Sequence, residues 1–265
     1  MRRHVLRLAL GIGGLVPGAA LRLPRGSAEP SGAPNASTDG VCTIRHFRGV
    51  DYILCRIALV EQHVGLALYD ESDRPLGGFS RLAERIARRG GTLTLAMNAG
   101  MYHEDRRPVG LYVEDGREVA PVSRADGPGN FHMKPNGIFW IADGRAGVEE
   151  TEAYVRHERV VDTATQSGPM LLVDGALHPR FIEGSTSLHI RNGVATAEDG
   201  AVALFVMSRT PVNFHDFASF FKDELGCRDA LYLDGSISSL FVPDQGIREE
   251  RDRLGPMFAV TAKRP

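Results

Sequence analysis

Along most of this chain, apolar residues come in short runs bounded by turn dipeptides. Runs of Val, Leu, Ile and Phe that end in Asp-Gly or Asn-Gly read as strands joined by tight hairpins, because those pairs tolerate positive φ. Strands are therefore expected over 52–59, 64–69 and 92–97, and in the runs that begin at Gly110, Gly137, Met170, Val194 and Ala201. Asp-Gly occurs at 39, 115, 126, 143, 174, 199 and 234, and Asn-Gly at 136 and 192.

In two places the apolar spacing changes to that of a helix. One helix is expected over 81–89, with Ser80 as its cap and Gly90-Gly91 as its stop. The second is expected over 214–225. There Phe214, Phe217, Ala218, Phe221 and Leu225 form one stripe, Asn213 caps, Val212 and Phe217 form a hydrophobic staple, and Gly226 ends the helix. Many hairpin strands with few helices point to an α+β domain around a mixed or antiparallel sheet. Strand–helix alternation is too weak for a doubly wound fold. No repeat or internal linker divides the chain, so a single domain is expected over 43–265.

What precedes that domain reads differently. Arg2, Arg3, His4 and Arg7 form a basic start, an apolar run follows to Ala20, and small residues then offer cleavage sites. This is the order of a secretory signal, and the run is shorter than the roughly 20 residues of a spanning helix. The expected division is a signal peptide over 1–28, a Ser/Pro/Gly/Asn-rich leader over 29–42, and a periplasmic or secreted product with no stable membrane insertion. Removing residues 1–28 takes away Arg2, Arg3, Arg7, Arg22 and Arg25 and no acid. That leaves 26 basic against 33 acidic residues, a net charge of −7. A nucleic-acid partner, which needs a basic stripe, is not expected. In an oxidising compartment Cys42 and Cys55 are placed to close a small loop, leaving Cys227 as a buried thiol. No Cys-x-x-Cys or second His/Asp cluster supports a metal beside His215-Asp216, and no cofactor is expected.

Several polar segments sit where a sheet protein has no packing need for them. Asn98 falls at the end of an apolar strand. Gln166 and Ser167 precede Gly168-Pro169, and Arg191 begins a strand pair. The run from Ala230 to Leu240 passes from an apolar strand into Asp234 and a small polar loop, the kind of strand end that carries catalytic groups. Each has a plainer reading as a turn or a solvated charge. There is no Gly-x-Ser-x-Gly, which argues against a nucleophile-elbow hydrolase; an esterase using Ser167 or Ser238 lacks a base at recognisable spacing.

Taken in order, Asn98-Ala-Gly-Met-Tyr102, Pro108-Val-Gly110, Ser167-Gly-Pro-Met-Leu171, Arg191-Asn-Gly193 and Leu233-Asp-Gly-Ser-Ile-Ser238 resemble the phosphodiester glycosidase family. Lys134-Pro-Asn-Gly137, Ala164-Thr-Gln-Ser-Gly168 and Pro211-Val-Asn-Phe-His-Asp216 are similar to runs in a bacterial subgroup of it. Two positions depart: Ser236-Ile237 stand where the family tends to have glycines, and Asn192 where it often has threonine. The resemblance implies hydrolysis of a sugar-1-phosphodiester at the anomeric carbon. Asp234 would be nucleophile or base, Arg191 the phosphate clamp, and His215 a proton donor or phosphate ligand. Asn98, Asn136 and Gln166 would hold sugar hydroxyls, with Gly168, Gly235 and Ser238 completing the binding set. The partner is then a small carbohydrate or glycan phosphodiester; the rival reading is a non-catalytic envelope glycan-binding protein. Asp234, Arg191, Asn98, Gly168 and Ser238 are expected to line one pocket.

Overall fold

Residues 41–251 and 253–263 are described in the computed structural model of the chain; the expected signal segment and the leader to residue 40 lie outside them, as does Asp39-Gly40. The described residues form an α+β domain of three sheets, and every strand pair is antiparallel. The first sheet runs, in spatial order, Cys42–Phe47, Val50–Ala58, Val202–Ser208, Asn192–Ala197, Ala230–Tyr232, Met170–Val173 and Ala176–Leu177. The second runs Ile247–Glu249, Leu240–Val242, Leu93–Asn98, Met257–Ala262 and Gln62–Ala67. The third runs Arg117–Ala120, Tyr112–Glu114, Thr163–Ser167, Gly137–Ala142 and Arg145–Glu150.

One face of each sheet meets a common core. At its centre Phe139, Phe205 and Phe258, one from each sheet, pack with ring centroids 5.0 to 6.3 Å apart. The opposite faces are packed separately. The helix Phe214–Ser219 covers the first sheet with Phe217 and Ala218, the helix Phe79–Arg88 covers the second with Phe79 and Leu82, and the short helix Thr151–Arg156 lays Tyr154 on the third. Alternate residues of a strand point to opposite faces, so strands apolar on both sides are what this layering requires.

Turn chemistry follows the dipeptides in four places. Asp115-Gly116, Asp143-Gly144, Asp174-Gly175 and Asp199-Gly200 have both residues at positive φ, between paired strands. The two Asn-Gly pairs are not turns. Gly137 opens a strand and Asn192-Gly193 lies inside one, where a Cβ on Gly137 would sit 2.1 Å from the Met170 sulfur. The first long helix begins two residues earlier than its sequence suggests. Ser80 does not cap it; the first free amide, on Phe79, donates to the Glu250 side chain at 2.7 Å. Asn213 does cap its helix, accepting from the Asp216 amide at 2.8 Å, but after Ser219 the backbone widens into a π turn over Phe220–Glu224 before Gly226 ends it at φ 64°. Cys42 and Cys55 face each other across the first hairpin and are disulfide-bonded, while Cys227 is buried and free, its thiol pushed up to about 12 by burial.

Candidate functional site

The site is built where the first and second sheets end side by side. Gly193 pairs with Tyr232, and the Leu233 amide donates to the Asn192 carbonyl at 3.1 Å. Carried two residues further, this register sets Arg191 against Asp234, on the same side as Tyr232, while Asn192 and Leu233 point to the common core. From the second sheet the strand Leu93–Asn98 arrives alongside Ser239 and Leu240.

Asn98 joins the two. Its Oδ1 accepts from the Ser239 amide at 2.8 Å and from Asn192 Nδ2 at 3.0 Å, and its Nδ2 donates to the Asp234 carbonyl at 2.9 Å. The Ser238 hydroxyl has the Ile190 carbonyl and Asn192 Oδ1 as acceptors, each at 3.0 Å. All four side chains are buried. The network holds the loop that carries Asp234 by both its ends. Asp234 itself is half-buried. Its Oδ1 accepts from the Ser236 hydroxyl at 2.6 Å and the Ser236 amide at 3.2 Å; no cation lies within 4.0 Å of it among the described residues. Unlike the four Asp-Gly turns, Asp234 has φ −78° and caps a short 3-10 turn over Gly235–Ile237. Gly235 is needed because a Cβ there would lie 1.8 Å from the Tyr232 hydroxyl.

Arg191 is one layer behind. It is 1% exposed, and its guanidinium lies 3.6 Å from the Phe214 ring centroid. Nε donates to the Val212 carbonyl at 2.8 Å, Nη2 to the Ser187 carbonyl at 3.1 Å and Nη1 to the Tyr232 hydroxyl at 3.3 Å. No carboxylate lies within 4.0 Å of it among the described residues, and burial holds its pKa below the ordinary arginine value. A guanidinium so placed remains a cation, and among the described residues no carboxylate is paired with it. Tyr232 is the link to Asp234: it takes the Arg191 hydrogen bond, packs against Gly235, and is pushed up to about 12, by burial first and with Asp234's charge adding to the rise. The Tyr232 hydroxyl thus lies between the Arg191 guanidinium and Gly235, the residue after Asp234.

The other expected site residues are spread more widely. His215 sits at the start of the helix capped by Asn213, its Nδ1 3.5 Å from Asp216 Oδ1. It makes no hydrogen bond to Asp234, Arg191 or Asn98. Asn136 and Gln166 were expected to offer amides to a sugar, and those amides are engaged elsewhere. Gln166 Oε1 accepts from the amides of Leu111 and Ser123, and its Nε2 donates to the Ser123 carbonyl and to Thr151. Asn136 is held by the Phe131 carbonyl and Thr151. Together they pin the 120s and 130s loops to the third sheet. Gly168 packs against the Phe131 carbonyl and Asn136, and the next residue's carbonyl accepts from the Tyr232 amide at 3.1 Å. Ser167 is buried in the strand Thr163–Ser167, its hydroxyl without a hydrogen-bond partner among the described residues, and no histidine reaches it or Ser238.

Tyr232, Ser239 and Tyr102 also belong to the site; all three lie in segments the sequence singled out, the run from Ala230 to Leu240 and the Asn98–Tyr102 motif, but none was among the residues expected to act there. Tyr102 donates to the Arg253 carbonyl at 3.1 Å; its pKa is raised by burial, with Arg106 opposing and Asp234 adding to the rise. Only the fold brings these two tyrosines close enough for the Asp234 charge to act on both. Among the described residues no group of three His, Cys, Asp or Glu side chains is placed to hold a metal, and no helix is long and apolar enough to cross a membrane.

A family model described as phosphodiester glycosidase matches residues 91–259. The chain is 36% identical over 173 residues to the uncharacterized protein YigE of Escherichia coli, covering 65% of this chain and 67% of YigE. Among solved structures it is similar to the catalytic domain of zebrafish N-acetylglucosamine-1-phosphodiester alpha-N-acetylglucosaminidase, auto-inhibited by its pro-peptide, with TM-score 0.57 and 13% identity over 86% of this chain and 85% of that one. It is also similar to a hypothetical protein from Synechocystis, with TM-score 0.55 and 12% identity over 84% of this chain and 61% of that one.

Proposed function

The chain belongs to the phosphodiester glycosidase family, and we propose that it is an exported hydrolase that cleaves a sugar-1-phosphodiester at the anomeric carbon. The observation that carries this reading is Asp234. Four of the chain's other Asp-Gly pairs are left-handed hairpin turns; this one is held out of a turn by Asn98, Asn192 and Ser238 and presents a half-buried carboxylate with no cation paired to it among the described residues. An anion kept unpaired at the end of two sheets is suited to stabilise positive charge that develops at an anomeric carbon.

In the proposed reaction the bond between the anomeric carbon and the phosphate oxygen breaks, and its electron pair leaves with the phosphate. A phosphate ester is a good leaving group, so strong protonation of it is not needed. Asp234 either adds to the anomeric carbon, giving a glycosyl ester that water then cleaves to free the carboxylate, or takes a proton from water that adds directly; in both cases the products are the reducing sugar and a phosphomonoester. Arg191, behind Tyr232, contributes a positive field on the side where negative charge accumulates. Export is part of the proposal, supported by the basic, apolar and small-residue order of residues 1–28 and by the Cys42–Cys55 disulfide, which persists in oxidising compartments.

The test is a panel of sugar-1-phosphodiesters with products identified by mass, run on the wild type and on Asp234→Asn. The wild type should release sugar from at least one member. The nearly isosteric variant should lose at least about a hundredfold in kcat, by comparison with the removal of other single groups that stabilise transition-state charge, while its melting temperature is kept. Binding of a member without turnover by either protein would instead favour a glycan-binding role. Fractionation with N-terminal sequencing tests export, and an intact N-terminus retained in the cytoplasm would refute it.

A further inference from the structure

Beside Tyr102, which Arg106 and Arg253 touch, lies a groove of about 510 Å³ lined by Arg81, Arg106, Glu104, Asp105, Glu250 and Arg253, among others. Its volume is within the range of sites that hold small ligands. Two of its three carboxylates are already engaged: Asp105 pairs with Arg107 at 2.6 Å, and Glu250 takes the Phe79 amide and Arg248. The arginines are not. Among the described residues neither Arg81, Arg106 nor Arg253 has a carboxylate within 4.0 Å, and Arg251, also without one, borders the adjoining cleft. Three guanidiniums without an ion pair among the described residues thus line one groove, beside a single carboxylate, Glu104, that is likewise in no ion pair among them. Most other arginines of the domain, such as Arg56, Arg88 and Arg228, are spent in surface pairs.

The groove is joined to the candidate site by two contacts. The Arg106 guanidinium lies 5.1 Å from the centroid of the Tyr102 ring, whose hydroxyl bonds to the Arg253 carbonyl. The Arg251 amide donates to the Ser239 hydroxyl at 2.8 Å, and the Ser239 amide donates to Asn98. Both Arg106 and Arg253 have left-handed backbones, at φ 74° and 43°. A residue without glycine's freedom is held in that region only by its surroundings, and such positions gather at sites that bind.

We propose that this groove holds the leaving-group side of the substrate, and that the aglycone carries a second anionic group, phosphate or carboxylate, beyond the phosphodiester. The inference rests on the hydrolase reading above for its substrate but not for its binding test. A phosphodiester carries one negative charge, which one guanidinium fork can meet. Arg106 stacks on Tyr102 and Arg253 is bonded to it through its carbonyl; with Arg81 they bring more positive charge to the groove than one phosphodiester needs, and a neutral aglycone would leave the surplus without a function.

The experiment is calorimetric titration of the full chain with inorganic phosphate and with inorganic pyrophosphate, which spans two anionic centres. Pyrophosphate should bind at least tenfold more tightly than phosphate. Arg106→Ala and Arg253→Ala should each weaken it several-fold and the double variant at least tenfold, with the melting temperature unchanged. Arg117→Ala, on the edge of the third sheet, should leave affinity as it is. Equal affinity for the two anions, or equal losses from Arg117→Ala, would overturn the proposal. Asp234→Asn should keep pyrophosphate binding. If no sugar-1-phosphodiester is turned over but pyrophosphate still binds through Arg106 and Arg253, the hydrolase reading fails and the anion groove stands. Turnover without such binding overturns the groove and leaves the hydrolase reading intact.

Discussion

Asn98 ties both sheets to the candidate carboxylate. It is fully buried, and its Oδ1 accepts from Ser239 and Asn192 while its Nδ2 donates to the Asp234 carbonyl. Replacing it by alanine leaves a buried amide and a buried carbonyl without partners. Each such orphan costs about 1–3 kcal/mol. Asn98→Ala is therefore expected to lower the midpoint of denaturant unfolding and to loosen the Asp234 loop, so that any turnover falls by more than the loss of stability explains. Chemical denaturation measured beside activity checks both, and an unchanged midpoint would show that the network is dispensable. Arg191 is the complementary case. Its charge is kept inside the protein without an acid, held by carbonyls, a tyrosine hydroxyl and the face of Phe214. Burying an unpaired cation is costly, and stability alone would be served as well by an apolar side chain there.

Among the elements, the helix Phe214–Ser219 does two jobs. Phe217 and Ala218 pack on the first sheet, and Phe214 at its start roofs Arg191. Its N-terminus is set by Asn213, whose Oδ1 accepts the Asp216 amide and whose Nδ2 donates to the Asp216 carboxylate at 2.8 Å. Loss of such a cap costs about 1 kcal/mol. Asn213→Ala should therefore reduce stability by about that amount, while Asn213→Ser restores most of it; thermal unfolding of the two variants would show this, and no rescue by serine would mean that the side chain serves something other than the cap. The same helix shows where local pattern and structure part. Its apolar stripe runs on to Leu225, but the backbone widens at Phe220 so that Phe220 stacks on Tyr52 at 4.1 Å while Phe221 stays buried. A regular helix would rotate one of the two away.

At the scale of the whole molecule, the three sheets are held together by Phe139, Phe205 and Phe258. Because each comes from a different sheet, removing one loosens the seam on which the candidate site stands. Phe258→Ala is expected to cost about 3–5 kcal/mol, as large-to-small changes of buried phenylalanine do, and to impair Asp234 chemistry from a distance, since Met257 next to it pairs with Asn98. A stability loss under about 1 kcal/mol, read by the same denaturation, would contradict a shared core and favour sheets that pack independently.

Much of this architecture is local and could be read in advance. Left-handed Asp-Gly turns, short apolar strands, the Asn213 cap and the Cys42–Cys55 hairpin depend on residues near one another in the chain, the two cysteines being 13 residues apart. Ser80 failed as a cap because the acceptor came from Glu250, which is 171 residues distant from Phe79. The site obeys the same division. That Asn98, Arg191 and Asp234 stand apart was visible as polar residues at strand ends. That Asn98 meets Asn192 across 94 residues and Ser239 across 141, that Arg191 is shielded by Tyr232, and that Gln166 and Asn136 are consumed in holding loops was decided by tertiary pairing alone. A side chain's hydrogen-bonding capacity belongs to its residue type, but which partner uses it depends on what three antiparallel sheets bring within about 3 Å.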